Sequence, residues 1–241
     1  GIPETPLHEN RFPAGAIDNY LAEAWAIPSA ITIGAFRAPR SNFIASAEQS
    51  FLDELAVEME KDPLDFRLEL LKRAKQNPVG ERNDYDADRY AGVIQLLKDK
   101  AATTERPAET GRGVAAYFCH NTYAAALVDI GVKNNEPFVV QALAAMDCGI
   151  VINKDAATNM AEGALIDGIG KVLYAEQLFM DGVPQKSNFN TYRMIRMNEC
   201  PAKMEVHFVE NRDNPTGMGE PLFPPTFAAV ANALFAYTGK R

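Results

Sequence analysis

Residues 113–133, GVAAYFCHNTYAAALVDIGVK, and residues 137–152, PFVVQALAAMDCGIVI, are apolar runs that carry few charges beyond Asp129, Lys133 and Asp147. Runs this rich in β-branched, aromatic and alanine residues read as strands with little exposed surface. Asn134-Asn135 stands close between them and has the side chains that a tight hairpin turn prefers. The flanking sequence then fixes the class. Helical patterns come before the pair, and helix and strand patterns alternate after it. An order of helices, then strands, then both is α+β rather than a doubly wound sheet.

Upstream, TTERPAETGRG (103–113) is the best internal boundary, and it divides the chain into residues 1–105 and 106–241. Three helices are expected in the first part. One starts at Ser41 or Asn42 as cap and places Ile44, Ala47, Phe51, Leu52, Leu55 and Met59 at helical spacing. Asp62 caps the second, with Pro63 in its first position. The third covers residues 86–101. Residues 16–26 read as a short helix, and 31–41 as a short strand entering a turn. Downstream, residues 153–175 read as a helix. Its Gly163, Gly168 and Gly170 cost helix propensity but let a neighbouring backbone come close. EQLFMDGVPQ (176–185) is a hairpin turning at Asp181-Gly182. KMEVHFVE (203–210) alternates as a strand does. Residues 226–237 form an apolar helix stopped by Gly239.

Composition narrows the function. The chain has 241 residues, enough for one large domain or two modest ones. A net charge of −8 argues against a nucleic-acid partner, which calls for clustered Lys and Arg. No apolar run approaches the roughly eighteen residues of a membrane span. Cys119, Cys148 and Cys200 are far apart and supply no zinc or iron–sulfur ligand pattern. His8, His120 and His207 are scattered, and Cys119-His120, adjacent on a strand, would point to opposite faces. Gly163 and Gly168 have the outer spacing of a phosphate loop, but Ile169 stands in the lysine position. The chain starts at Gly1, so it reads as a piece of something longer.

Two turns stand out. In GMGEPLFPP (217–225), Gly219 lets backbone approach a ligand, and Pro221 stiffens the chain after Glu220. Glu220 then has two readings. It is a carboxylate favoured by the N-terminus of the following helix, or it is aimed into a site. In GAFRAPR (34–40), two arginines flank a turn, either as anion-binding groups or as solvated surface.

Four stretches together resemble the molybdopterin-binding subunit of the xanthine dehydrogenase and aldehyde oxidase family, in its isoquinoline 1-oxidoreductase beta-subunit branch. They are GAFRAPRSNFIASAEQSFLDELAVEMEKDPLDFRLELL (34–71), MDCGIVINKDAATNMAEGALIDGIGKVLYAEQLFMDG (146–182), NFNTYRMIRMNECPAKMEVHFVE (188–210) and GMGEPLFPPTFAAVANALFAYTGKR (217–241). The resemblance implies molybdenum-dependent hydroxylation of an aldehyde or N-heterocycle. It makes Glu220 the general base that draws a proton from a Mo–OH group. It gives Ala35, Phe36, Arg37 and Gly219 to the cofactor, and Pro39 and Leu222 to the substrate pocket. The pterin, and no side chain here, would hold the metal, in a molybdopterin of the cytosine dinucleotide form. The implied partners are the rest of the large subunit, an iron–sulfur electron-transfer subunit and a small-molecule substrate. The sequence departs from the family at Met160-Ala161, where a glutamine is usual, and it lacks a Gly-Gly-Gly-Phe-Gly-Gly type loop. It therefore reads as the C-terminal portion of the catalytic subunit, inactive alone; the alternative is a non-catalytic assembly or scaffold piece. Members of this branch are often exported, which makes a periplasmic location compatible and leaves the compartment open.

Overall fold

The computed structural model describes residues 10–25, 27–28, 30–31, 34–79 and 83–241. Three helices come first: α1 (Ser41–Glu58), α2 (Pro63–Gln76) and α3 (Ala87–Thr103). Strands β1 (Gly111–Cys119), β2 (Thr122–Lys133) and β3 (Glu136–Asp147) follow, then α4 (Lys154–Leu173), the short β4 (Phe179–Met180) and β5 (Val183–Pro184), β6 (Lys203–Phe208) and α5 (Phe223–Thr238). The main sheet has the order β1-β2-β3-β6, with β6 parallel to β3 and the other pairs antiparallel. The α+β class expected from the element order is what the chain adopts.

The apolar runs are continuous because the sheet is covered on both faces. Val114, Ala116, Tyr123, Ala125, Leu127, Leu143 and Ala145 face α1, α2 and α3. The alternate set, Ala115, Ala124, Ala126, Val128, Ala142, Ala144 and Met146, faces α4 and α5. The first run is two strands. His120 and Asn121, both at positive φ (52° and 58°), make a two-residue turn within it, matching the expected turn at Asn134-Asn135 (54° and 64°).

The expected cap of α2 forms. Asp62 accepts from the backbone of Leu64 and Asp65, and Asp86 caps α3 in the same way. Asp181-Gly182 turns the β4–β5 hairpin. Helix α5 begins at Phe223, three residues earlier than expected, with Pro224 in its first turn.

Three expectations are corrected. No helix forms in residues 16–25, and Ala26 lies outside the described residues. No strand is described between Ile31 and Ser41, of which Thr32 and Ile33 lie outside the described residues. Helix α1 is not capped by Ser41 or Asn42. Arg40, at φ 67°, precedes it with no side-chain cap. Its inward face is Ser41, Ala45, Gln49, Leu52, Asp53 and Ala56, while Phe51 is 57% and Met59 52% exposed. Polar residues occupy that face because each is satisfied there. Fully buried Arg67 donates to the Gln49 side chain (2.8 Å) and backbone (2.9 Å), and Arg241 reaches Asp53 (2.8 Å).

Candidate functional site

The two turns singled out in the sequence meet. Helix α5 packs along β1 and α1, and this brings the segment before α5 against the segment before α1. The Glu220 Oε1 atom accepts the backbone N–H of Ala38 at 2.8 Å. Arg37 donates through Nε to the Gly219 carbonyl at 2.9 Å, and its Nη2 reaches the same oxygen. Its Nη1 bonds Asp167 of α4 at 3.2 Å and the Gly163 carbonyl at 3.4 Å. Arg37 therefore ties three elements together. Asn42, expected as a cap, donates instead to the Arg37 carbonyl at 3.0 Å and closes the turn from behind.

The turn before α1 is strained. Ala38 and Arg40 lie at φ 53° and 67°, where an L side chain crowds its own backbone. Ala38 is fully buried, so the packed core and the Glu220 bond hold that conformation. Phe36 is 50% exposed, with its ring 5.9 Å from that of Phe223 and the Lys171 ammonium 4.7 Å from its centre. Ala35 and Phe36 are exposed, and their N–H groups have no hydrogen-bond partner among the described residues. Pro39 is exposed beside them, whereas Leu222 is wholly buried beneath the Glu220 turn.

Glu220 is not a helix cap. No side chain caps α5, whose first flanking residue is Leu222. The second Glu220 oxygen, Oε2, lies 3.0 Å from Nε2 of His120, with the two side chains 37% and 41% exposed. Sequence reasoning had missed His120 as a neighbour of Glu220. The β1–β2 turn delivers it, and Thr122, just after that turn, bonds the Gly217 carbonyl and the Thr216 hydroxyl, both at 2.6 Å. A side chain at Gly217 would put its Cβ 3.2 Å from the Cβ of His120, so glycine lets the two turns touch. The only sequence signal was Asn121, a residue that tolerates the left-handed region.

The result is an open wall of uncommitted backbone N–H groups beside one aimed carboxylate. Among the described residues, no group of three or more His, Cys, Asp or Glu could hold a metal ion. The profile of the family described as molybdopterin cofactor-binding domain matches residues 48–201. The chain belongs to that family. It is thus a molybdopterin-binding member of the xanthine dehydrogenase family, as the resemblance implied. It is 31% identical over 240 residues to the membrane-bound aldehyde dehydrogenase (pyrroloquinoline-quinone) of Gluconacetobacter polyoxogenes, covering 95% of this chain and 30% of that one. It is 28% identical over 200 residues to isoquinoline 1-oxidoreductase subunit beta of Brevundimonas diminuta, covering 80% and 24%. The fold matches aldehyde oxidoreductase from Desulfovibrio gigas with a TM-score of 0.65 at 13% identity, over 86% of this chain and 40% of that one. The chain thus spans less than a third of the two curated relatives. A molybdopterin fits the wall on one side, through the donors that the Ala35–Phe36 backbone offers.

Proposed function

We propose that this chain is the C-terminal portion of a molybdenum hydroxylase large subunit, acting on an aldehyde or N-heterocycle, with Glu220 as its general base. The observation that carries this reading is the bond from the Ala38 N–H to Glu220 Oε1. It aims a lone carboxylate across the turn that offers free backbone donors, and a fixed base in reach of its proton is what general base catalysis needs.

When bound, the molybdenum cofactor supplies the oxygen transfer and takes up the electrons. The chain's own residues prepare the site. Ala35 and Phe36 present backbone N–H groups to the cofactor, and the exposed Phe36 ring covers it. Arg37 fixes Gly219, and Gly219 fixes the direction of Glu220. Pro39 borders the substrate, while Leu222 shapes the pocket from below by holding the turn. Glu220 accepts the proton released as the substrate is attacked. Residues 1–105 and 106–241 act as two parts, each contributing one turn. The remaining walls, the cytosine dinucleotide end of the cofactor and an iron–sulfur electron carrier come from other sequence.

The test is Glu220→Gln in the assembled complex. Turnover should fall by roughly 10²–10⁴-fold with molybdenum content and assembly unchanged. Turnover equal to wild type would leave Glu220 without a catalytic part and this chain with an assembly role.

A further inference from the structure

We propose that His120 is a positioning residue for Glu220. Its Nε2 and the Ala38 N–H each lie against one of the two carboxylate oxygens. This rests on the reading of Glu220 as the base. The geometry is a hydrogen bond of 2.8 Å from the Ala38 N–H to Oε1 and a close approach of 3.0 Å between His120 Nε2 and Oε2, made from two different turns. A carboxylate has about four acceptor positions, so one donor and one close neighbour restrict its plane and leave lone pairs to take a proton.

Three observations separate this from an incidental surface pair. First, both partners are well exposed, and exposed pairs of this kind contribute little to stability. The contact therefore has its value in orientation. Second, His120 is held in the left-handed region at φ 52°, where asparagine or glycine would sit more easily. A less comfortable residue stands at a turn that would be more stable without it. Third, the turn is tied to the segment it serves. Thr122 bonds both Thr216 and the Gly217 carbonyl, and Gly217 packs against His120 itself. The His120 turn is thus tied to the segment that carries Glu220.

His120→Asn keeps the turn and is too short to reach Oε2; His120→Gln keeps the reach and the N–H donor. In the assembled complex, His120→Asn should lower kcat about tenfold or more, as loss of aim does, with KM within about twofold. The melting temperature should be unchanged or higher. His120→Gln should recover at least about half of the wild-type kcat. In a Glu220→Gln background, His120→Asn should have no further effect. A second readout needs no turnover. Segmental ¹⁵N-histidine labelling of residues 1–241 in the assembled complex limits the ring ¹H–¹⁵N spectrum to His8, His120 and His207. The signal missing from His120→Asn identifies His120, and Glu220→Gln should displace that signal and leave the other two in place. Full turnover in Glu220→Gln overturns the base reading. Wild-type kcat in His120→Asn beside an inactive Glu220→Gln, or a His120 signal indifferent to Glu220→Gln, overturns the positioning role alone.

Discussion

Arg37 spends its guanidinium inside the chain. The Gly219 carbonyl, Asp167 and the Gly163 carbonyl receive its donors, and its flat face lies 5.4 Å from the centre of the Phe223 ring. An arginine so used has no fork left for a phosphate, so the contact proposed between the Ala-Phe-Arg turn and a cofactor runs through backbone and through Phe36. A different residue makes the stability of the fold depend on pH. Glu48, on α1, sits among Arg11, Phe12, Tyr90, Tyr117 and Phe118. Burial pushes its carboxyl up from 4.5 to about 7, against a hydrogen bond from Gln49 and the charges of Arg67 and Arg11. The folded form then keeps a proton that the unfolded chain has lost. Its contribution to stability is complete below about pH 4.5 and disappears as pH rises through about 7. Glu48→Gln should remove this dependence. Urea midpoints at pH 5 and pH 8 should show a smaller fall for the variant than for wild type, and a variant more stable than wild type at pH 8.

At the scale of elements, the contact of α4 with α5 governs where the Glu220 turn sits. A Cβ at Gly168 would lie 2.7 Å from the side chain of Thr226. Thr226 cannot step aside, because it is buried and its hydroxyl bonds the Leu222 carbonyl at 2.7 Å. Gly168→Ala gains about 1 kcal/mol of helix propensity and meets an overpacking cost of about 1–3 kcal/mol. A net loss near 1 kcal/mol is expected from urea unfolding. Gly163→Ala, where the added Cβ meets nothing within 4 Å, should gain about 0.5–1 kcal/mol by the same measurement. The contrast within one helix separates packing from propensity. It also marks what could be read from sequence. The glycines of α4, the Asp62-Pro63 start of α2 and the Asp181-Gly182 turn are local signals, and local chemistry decided them. The inward face of α1 was not legible. Gln49 and Asp53 are buried by partners on α2 and at the C-terminus, Arg67 and Arg241, which no local pattern announces. His120 was hidden for a similar reason. Its turn interrupts an otherwise continuous strand pattern, and its partner lies 100 residues away in sequence.

At the scale of the molecule, the site is one-sided. Glu220 and Phe36 stand on an open face, and the uncommitted N–H groups beside them belong to exposed backbone. A pterin cofactor held from one side, by a few backbone donors and a ring, has too small a contact to stay bound through purification. The isolated chain should therefore carry no stoichiometric molybdenum by metal analysis and show no turnover, and co-production with the rest of the proposed large subunit should restore both. Stoichiometric metal in the lone chain would contradict the proposal that other sequence completes the site.

The bond between Ala38 and Glu220 joins residues 182 apart. Closing a flexible loop of that length costs roughly 5 kcal/mol in chain entropy. A hydrogen bond to a charged group returns about 1.5–3 kcal/mol. This contact cannot lead folding. It forms only after α5 has docked on β1 and α1 and the ends are already close. Its strength should be almost absent from the transition state, so changes at either residue appear in the unfolding rate and hardly in the folding rate. The aimed carboxylate should therefore settle late in folding and loosen early in unfolding.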